Sequence, residues 1–154
     1  MTGWIFFQCM IMIQPLFQTE LPEIETLLKS FDLPVSDLKT APIQFFGIKK
    51  DGILTATGAL EIYNSDAILR SVAVHRNYQN LGLGKQITHF LENKAVEMGV
   101  QHLYLLTVTA EHFFKKLNYL EINRNSCPVA ILSSTEFAEI CPSSATCLRK
   151  VLRS

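Results

Sequence analysis

Ile68-Leu-Arg-Ser-Val-Ala-Val-His-Arg-Asn-Tyr-Gln-Asn-Leu-Gly-Leu-Gly-Lys-Gln86 is the stretch whose reading decides the fold. Its first half, with Ile68, Leu69, Val72, Ala73 and Val74, is an apolar, β-branched run and predicts a strand. A polar turn follows, then Gln79-Asn80-Leu81-Gly82-Leu83-Gly84-Lys85, then helical spacing. Strand, glycine-bearing turn and helix together present a row of free backbone N–H groups at a helix N-terminus. Such a row suits an anion, phosphate above all, and two residues without side chains let a diphosphate approach the main chain.

Two well-known glycine motifs fail on this stretch. The P-loop requires Gly-x-x-x-x-Gly-Lys-Ser/Thr, but position 79 is Gln and Lys85 is followed by Gln86. The dinucleotide fingerprint requires Gly-x-Gly-x-x-Gly, and Gly82-Leu83-Gly84 leads to Ile87. What remains, Gln79-x-x-Gly82-x-Gly84 after Ser71-Val72-Ala73-Val74, resembles the acetyl-CoA loop of the GNAT family of N-acetyltransferases.

Working outward, the order of elements agrees. Upstream, Met10 to Pro15 reads as a first strand, and Met1 to Cys9 as an extension. The apolar start lacks a basic segment and a small-residue cleavage site and is too short to span a bilayer, although a degenerate signal segment is an alternative. Leu21-Pro22-Glu23 opens a helix whose stripe is Ile24, Leu27, Leu28 and Phe31, and Leu33-Pro34 stops it. Ser36-Asp37-Leu38 reads as a short helical turn. Gln44–Lys49 and Ile53–Tyr63 are strands joined by the hairpin signal Asp51-Gly52, and Asn64-Ser65-Asp66 turns into the strand Ala67–Val74.

Downstream, Ile87, Phe90, Leu91, Ala95 and Met98 share a helix face, and Gly99 ends it. His102–Thr107 is a buried strand, expected to lie parallel to 67–74 because a long crossover separates them. Thr109–Leu117 is a second helix stopped by Asn118, and Tyr119–Ile122 a short strand. Cys127–Ile140 holds two helical fragments, the second capped by Ser134 or Thr135, and Ala145–Leu152 is a last strand. The fold class is therefore α+β: a mixed, mostly antiparallel sheet with one parallel pair, flanked by helices, over residues 1–154 as one domain.

A second marker strengthens the resemblance. Ala110 followed by Phe113-Phe114-Lys115-Lys116-Leu117-Asn118-Tyr119 is similar to the family's Ala-x-x-x-Tyr-x-x-x-Gly-Phe segment, with Asn in the glycine place. The set Leu69–Val74, Leu103–Thr107, Arg124, Pro128, Ile131, Thr135-Glu136-Phe137 and Cys141-Pro142-x-Ser144-Ala145 resembles the arsenic-resistance N-acetyltransferase branch, which acts on arsinothricin-like amino acids. The resemblance implies a GNAT fold whose parallel strands splay, acetyl-CoA as co-substrate, and a small amine as acceptor. Backbone groups of Val72, Ala73 and Val74 are then expected to pair with the pantetheine arm, and Gln79, Asn80, Leu81, Gly82, Leu83, Gly84 and Lys85 to hold the diphosphate. Thr107, Phe113, Phe114 and Lys116 complete the expected cofactor set.

Acetyl transfer to an amine needs a neutral nitrogen, a polarised thioester and a thiol that leaves. The Val74 N–H is the expected carbonyl donor and Glu61, on the preceding strand, the expected base. The alternatives for Glu61 are an ion pair with Arg70 across the hairpin, or plain exposure at the sheet rim. Arg70, inside an apolar strand, requires a partner, either Glu61 or a substrate carboxylate, and Arg124 is a second candidate for substrate binding. Many GNAT enzymes place a general-acid Tyr where this chain has Phe114, which has no proton to donate.

Composition bounds the partners. Of 154 residues, 48% are hydrophobic and 18% charged, and 14 basic residues balance 14 acidic ones, so nucleic acid is not the expected partner. Cys9, Cys127, Cys141 and Cys147 lack Cys-x-x-Cys spacing, and His75, His89, His102 and His112 lack metal spacing. Free thiols in the cytoplasm, with no metal, are expected. Apolar tail helices point to a homodimer. Two rival classes share these features: a non-catalytic acyl-CoA sensor on the same fold, and a nucleotide-binding module.

Overall fold

The computed structural model describes residues 12–152. The expected extension, Met1–Cys9, and the first two residues of the expected first strand lie outside the described residues. That strand, β1, runs over Gln14–Leu16. The remaining elements are α1 (Leu21–Lys29), β2 (Ile43–Lys50), β3 (Ile53–Tyr63), β4 (Asp66–Val74), α2 (Leu83–Glu97), β5 (His102–Thr107), α3 (Glu111–Lys116), β6 (Leu120–Glu121), α4 (Val129–Leu132), a π-helical turn (Glu136–Ile140) and β7 (Thr146–Val151).

Among the described residues seven strands form one sheet in the order β1-β2-β3-β4-β5-β7-β6. Local signals set the first half. Asp51 and Gly52 both take positive φ (52° and 78°), as a two-residue hairpin turn with the right twist requires. Asn64 (φ 58°) turns β3 into β4. Gly99 (φ 86°) and Asn118 (φ 73°) end α2 and α3 in the left-handed conformation. The tail departs from a simple edge addition: β7 returns between β5 and β6, pairing with both. A hydrophobic strand buried on both sides gains more there than at the rim, and Cys147 and Leu148 of β7 are buried.

One sheet face packs on α2, where Ile87, Leu91 and Ala95 meet Leu60, Leu69, Leu103 and Leu105. The other face is shared. Ile24, Leu27 and Leu28 of α1 cover Phe45, Ala59 and Ala73, while Ile131 and Phe137 of the tail cover Ile68 and Tyr104. Two features of this sheet make a cleft. The parallel pair β4–β5 holds register only through Asp66↔His102, Ala67↔Leu103 and Ile68↔Tyr104, after which the strands part. Opposite that point β4 carries a bulge: Ala59 pairs with Arg70 but Thr57 with Ala73, so Ser71 and Val72 face the single residue Gly58. Ser71 adopts a left-handed φ of 58° to make it. Gly58 lets α2 approach beneath: a Cβ there would lie 2.6 Å from Leu91 Cδ1, and that side chain would have to move.

Candidate active site

The parted strands open onto a cleft of about 1080 Å³. Its floor is β4 from Leu69 to Val74, its walls are the end of β5 with Thr107–Ala110, Phe113 and Phe114, and its far rim is Tyr78–Asn80 with Gly82–Lys85. Phe31–Pro34 and the tail residues Glu136, Ile140, Cys141, Pro142 and Ala145 complete it. Arg70 and Val74 lie on either side of the bulge in β4. The cleft thus has two ends, one at the glycine loop and one at Arg70.

The loop end is built from backbone. His75 N–H donates to Thr55 C=O at 2.7 Å, which makes that pair a hydrogen-bonded one. In an antiparallel ladder such pairs alternate, so the neighbouring Ala56↔Val74 pair turns the Val74 N–H and C=O away from β3, into the gap. The Val74 C=O accepts from Gln79 Nε2 at 3.1 Å, which ties the loop to the strand. Asn80 (φ 65°) and Gly82 (φ 78°) reverse the chain into α2. The first intrahelical bond there runs from Gln86 N–H to Gly82 C=O, so the N–H groups of Leu83, Gly84 and Lys85 precede it. Gly84 lies under Phe113 and Val74; a Cβ would sit 3.3 Å from Phe113 Cζ. Phe114 is buried edge-on to Phe113 and Tyr119. Thr107 Oγ1 accepts from Ala110 N–H at 2.9 Å, fixing the turn out of β5.

The Arg70 end is built from side chains. The guanidinium, 4% exposed, donates to Asp37 through both terminal nitrogens at 2.7 Å and to Glu61 Oε1 at 2.9 Å. Its Nε lies 3.7 Å from Glu136 Oε1. The Tyr63 hydroxyl donates to the other Glu61 oxygen. Burial, then that bond to Glu61, hold the Tyr63 hydroxyl well above its ordinary range. Burial pushes the Glu136 carboxyl up to about 7, against the pull of Arg70 and with the push of Glu61 and Asp37. Burial likewise carries the Cys141 thiol up to about 12, leaving it protonated near neutrality. Arg70 moves upward because its carboxylate partners outweigh desolvation, the largest single influence, which acts in the opposite direction.

The structure gathers most of the residues singled out in the sequence. Arg70, Val72, Ala73, Val74, Gln79, Asn80, Gly82, Leu83, Gly84, Lys85, Thr107, Phe113 and Phe114 line the cleft. Four others do not. Leu81 is 63% exposed outside the loop, and Lys116 is exposed on α3. Glu61 is fully buried beneath Arg70, with both oxygens engaged. Arg124 donates to the carbonyls of Phe137, Cys141 and Pro142 and so anchors the tail. Asp37 and Glu136 were absent from the sequence-derived site. The signal that leads to them is Arg70 itself, since a guanidinium in an apolar strand demands more acceptors than one carboxylate.

The family model described as Acetyltransferase (GNAT) family matches residues 10–119. The amino-acid acetyltransferase of Vibrio vulnificus is 27% identical over 89 residues, 56% of this chain and 20% of that protein. That of Pasteurella multocida is 30% identical over 78 residues, 49% of this chain and 18% of the other. The chain spans about a fifth of the length of these curated relatives. Among solved structures, N-acetylglutamate synthase from Neisseria gonorrhoeae, complexed with coenzyme A and L-arginine, superposes with a TM-score of 0.78 at 17% identity, over 94% of this chain and 34% of that one. An acetyltransferase of the GNAT family from Staphylococcus aureus does so with 0.74 at 18%, over 94% and 100%. At these identities the structural likeness concerns the fold.

Proposed function

The chain belongs to the acetyltransferase (GNAT) family, and from that premise we propose that it transfers the acetyl group of acetyl-CoA to the amine of a small amino-acid-like substrate. One observation carries the proposal: β4 loses its parallel neighbour after Ile68, and Val74 turns its backbone outward into the gap beside a glycine-bearing helix start. The pantetheine arm, an amide-rich chain, adds to this edge as a strand would. The N–H groups of Leu83, Gly84 and Lys85, with the charge of Lys85, hold the diphosphate at the positive end of α2. The thioester then hangs in the gap near Thr107, with Val74 N–H against its carbonyl oxygen. Fixing amine and thioester together supplies up to about 7–11 kcal/mol of the acceleration. Phe114 offers no proton, so the departing sulfur leaves as a thiolate and is protonated afterwards.

An amino-acid-like acceptor is supported by the curated relatives, which are amino-acid acetyltransferases. Within that class the markers from Arg124 to Ala145 support an arsinothricin-like amino acid, and the free thiols of Cys127, Cys141 and Cys147 support a cytoplasmic setting. Among the described residues no helix is long and apolar enough to cross a membrane.

The test is incubation with acetyl-CoA, a thiol reagent and a panel of amines. Stabilisation by CoA and amine-dependent thiol release are expected. Binding of CoA without release across the panel replaces the enzyme with a sensor. No stabilisation by CoA returns the glycine loop to another nucleotide.

A further inference from the structure

Two polar atoms at the Arg70 end of the cleft are buried without a hydrogen-bond partner among the described residues: Arg70 Nε and Glu136 Oε2. Leaving such a group unsatisfied costs about 1–3 kcal/mol, more when it is charged. Both belong to side chains that line the cleft. Resting on the transferase reading above, we propose that Glu136 is the ammonium-binding and proton-accepting group for the acceptor substrate.

The charge count favours a cation there. Asp37, Glu61 and Glu136 surround one guanidinium, and both terminal nitrogens of Arg70 are already committed to Asp37 and Glu61. A substrate carboxylate finds only the Nε of Arg70 unengaged and meets three acids. An ammonium meets a carboxylate oxygen that no group among the described residues engages. Glu61 cannot play this part, because Arg70 and Tyr63 take its oxygens below the floor. Glu136 is delivered by the π-helical turn, with Ser134 Oγ accepting from Phe137 N–H at 3.3 Å and Arg124 pinning the carbonyls of Phe137, Cys141 and Pro142.

The groups that face it are Arg70 from β4, Glu61 from β3, Asp37 from the turn after α1, Arg124 from the segment before α4, and the Cys141 thiol. Burial first, then the balance of these charges, leaves Glu136 poised near neutrality, where it gives and takes a proton with little driving force.

The step balances as follows. The substrate ammonium gives one proton to Glu136 Oε2. The freed lone pair attacks the thioester carbonyl carbon; the C–N bond forms and the carbonyl π pair moves to oxygen. That pair returns as the C–S bond breaks. The CoA thiolate takes the second N–H proton, and Glu136 releases its own to water through the open cleft.

The experiment compares the wild-type protein with Glu136→Gln and, as a control on the same turn, the exposed Glu139→Gln. L-Amino acids and their decarboxylated alkylamines are titrated calorimetrically into the protein–CoA complex, and CoA release from acetyl-CoA is followed from pH 6 to 9. Glu136→Gln is expected to bind both series about tenfold more weakly, the loss of one charge-assisted bond. Its rate is expected to fall on the order of 100-fold at neutral pH. The wild-type kcat/KM levels off above neutrality, whereas the variant's climbs about tenfold per pH unit toward the amine's own pKa. CoA-induced thermal stabilisation unchanged in the variant shows that it is folded. Weakened amine binding in Glu136→Gln, with no CoA release from either protein, sinks the transferase reading and keeps the ammonium site. Unchanged binding and an unchanged pH profile overturn the proposal, as does a wild-type protein that takes CoA but none of the amines.

Discussion

The two ends of the cleft are made of different material. At the loop end the atoms proposed to act are backbone N–H groups of Val74, Leu83, Gly84 and Lys85, set by a bulge, a left-handed glycine and a helix start within a dozen residues of chain. At the other end they are side chains of Asp37, Glu61, Arg70 and Glu136, which stand on four separate segments and meet only once the sheet is covered on that face. Backbone chemistry survives most substitutions at the same positions. Side-chain chemistry does not, and it binds the stability of the fold to the same charges proposed to serve the substrate. The two ends should therefore answer mutation differently: the Arg70 end through folding and pH, the loop end through cofactor affinity with the fold left intact.

The largest effect is expected from Arg70→Met. Met is of similar length and suits an apolar strand, but it leaves three buried carboxylates without their cation. Removing one partner of a buried ion pair costs about 3–5 kcal/mol. Denaturant unfolding should register that loss, and a variant as stable as the wild type would show that the cluster is not a structural charge centre. Next in size is a pH effect at Glu136. Its carboxyl ordinarily releases its proton near 4.5 and in the fold only near 7. Between these values the folded chain keeps a proton that the unfolded chain has lost, so stability falls as pH rises. The wild type should lose up to roughly 3 kcal/mol relative to Glu136→Gln between pH 4.5 and 7.5. Parallel stability curves for the two proteins would mean that burial does not hold this carboxyl above its ordinary range.

The same contrast decides what a reader of the sequence sees. Asp51-Gly52, Gly99, Asn118 and the crossover from β4 to β5 are local signals, and the strands and helices fall within a few residues of where those signals put them. The Gln79–Lys85 loop is equally local, and it lies where its spacing implied. Arg70 also declared itself, as a charge in an apolar strand. Its partners did not. Asp37 sits in a turn indistinguishable from a solvated one, and Glu136 in a fragment whose helical spacing gives no sign that the carboxylate turns inward. Only the covering of β4 by both α1 and the tail decides that they are buried. Lys116 and Leu81 show the converse: they lie within the motifs, yet the turn of α3 and of the loop carries their side chains to solvent.

The smallest effect on stability, and the sharpest on function, is expected at Gly84. This residue does not take a positive φ, so a side chain is compatible with its backbone; the tightest contact is with the edge of the Phe113 ring, an exposed side chain on α3. Gly84→Val should leave the unfolding free energy within about 0.5–1 kcal/mol of the wild type, the ordinary helix-propensity range with Val poorer than Ala. It should nevertheless weaken CoA binding about tenfold or more, close to 1.4 kcal/mol, because the branched side chain would stand where the diphosphate is proposed to meet the first N–H groups of α2. Gly82→Ala supplies the contrast within the loop. With φ at 78° it strains the backbone itself, at a cost of about 1–2 kcal/mol, so stability and affinity should fall together. Measured by calorimetry and thermal unfolding, the pair separates a space kept open for ligand from a conformation needed for folding. Equal and small affinity changes at both glycines would mean that the row of amides at the start of α2 does not carry the diphosphate.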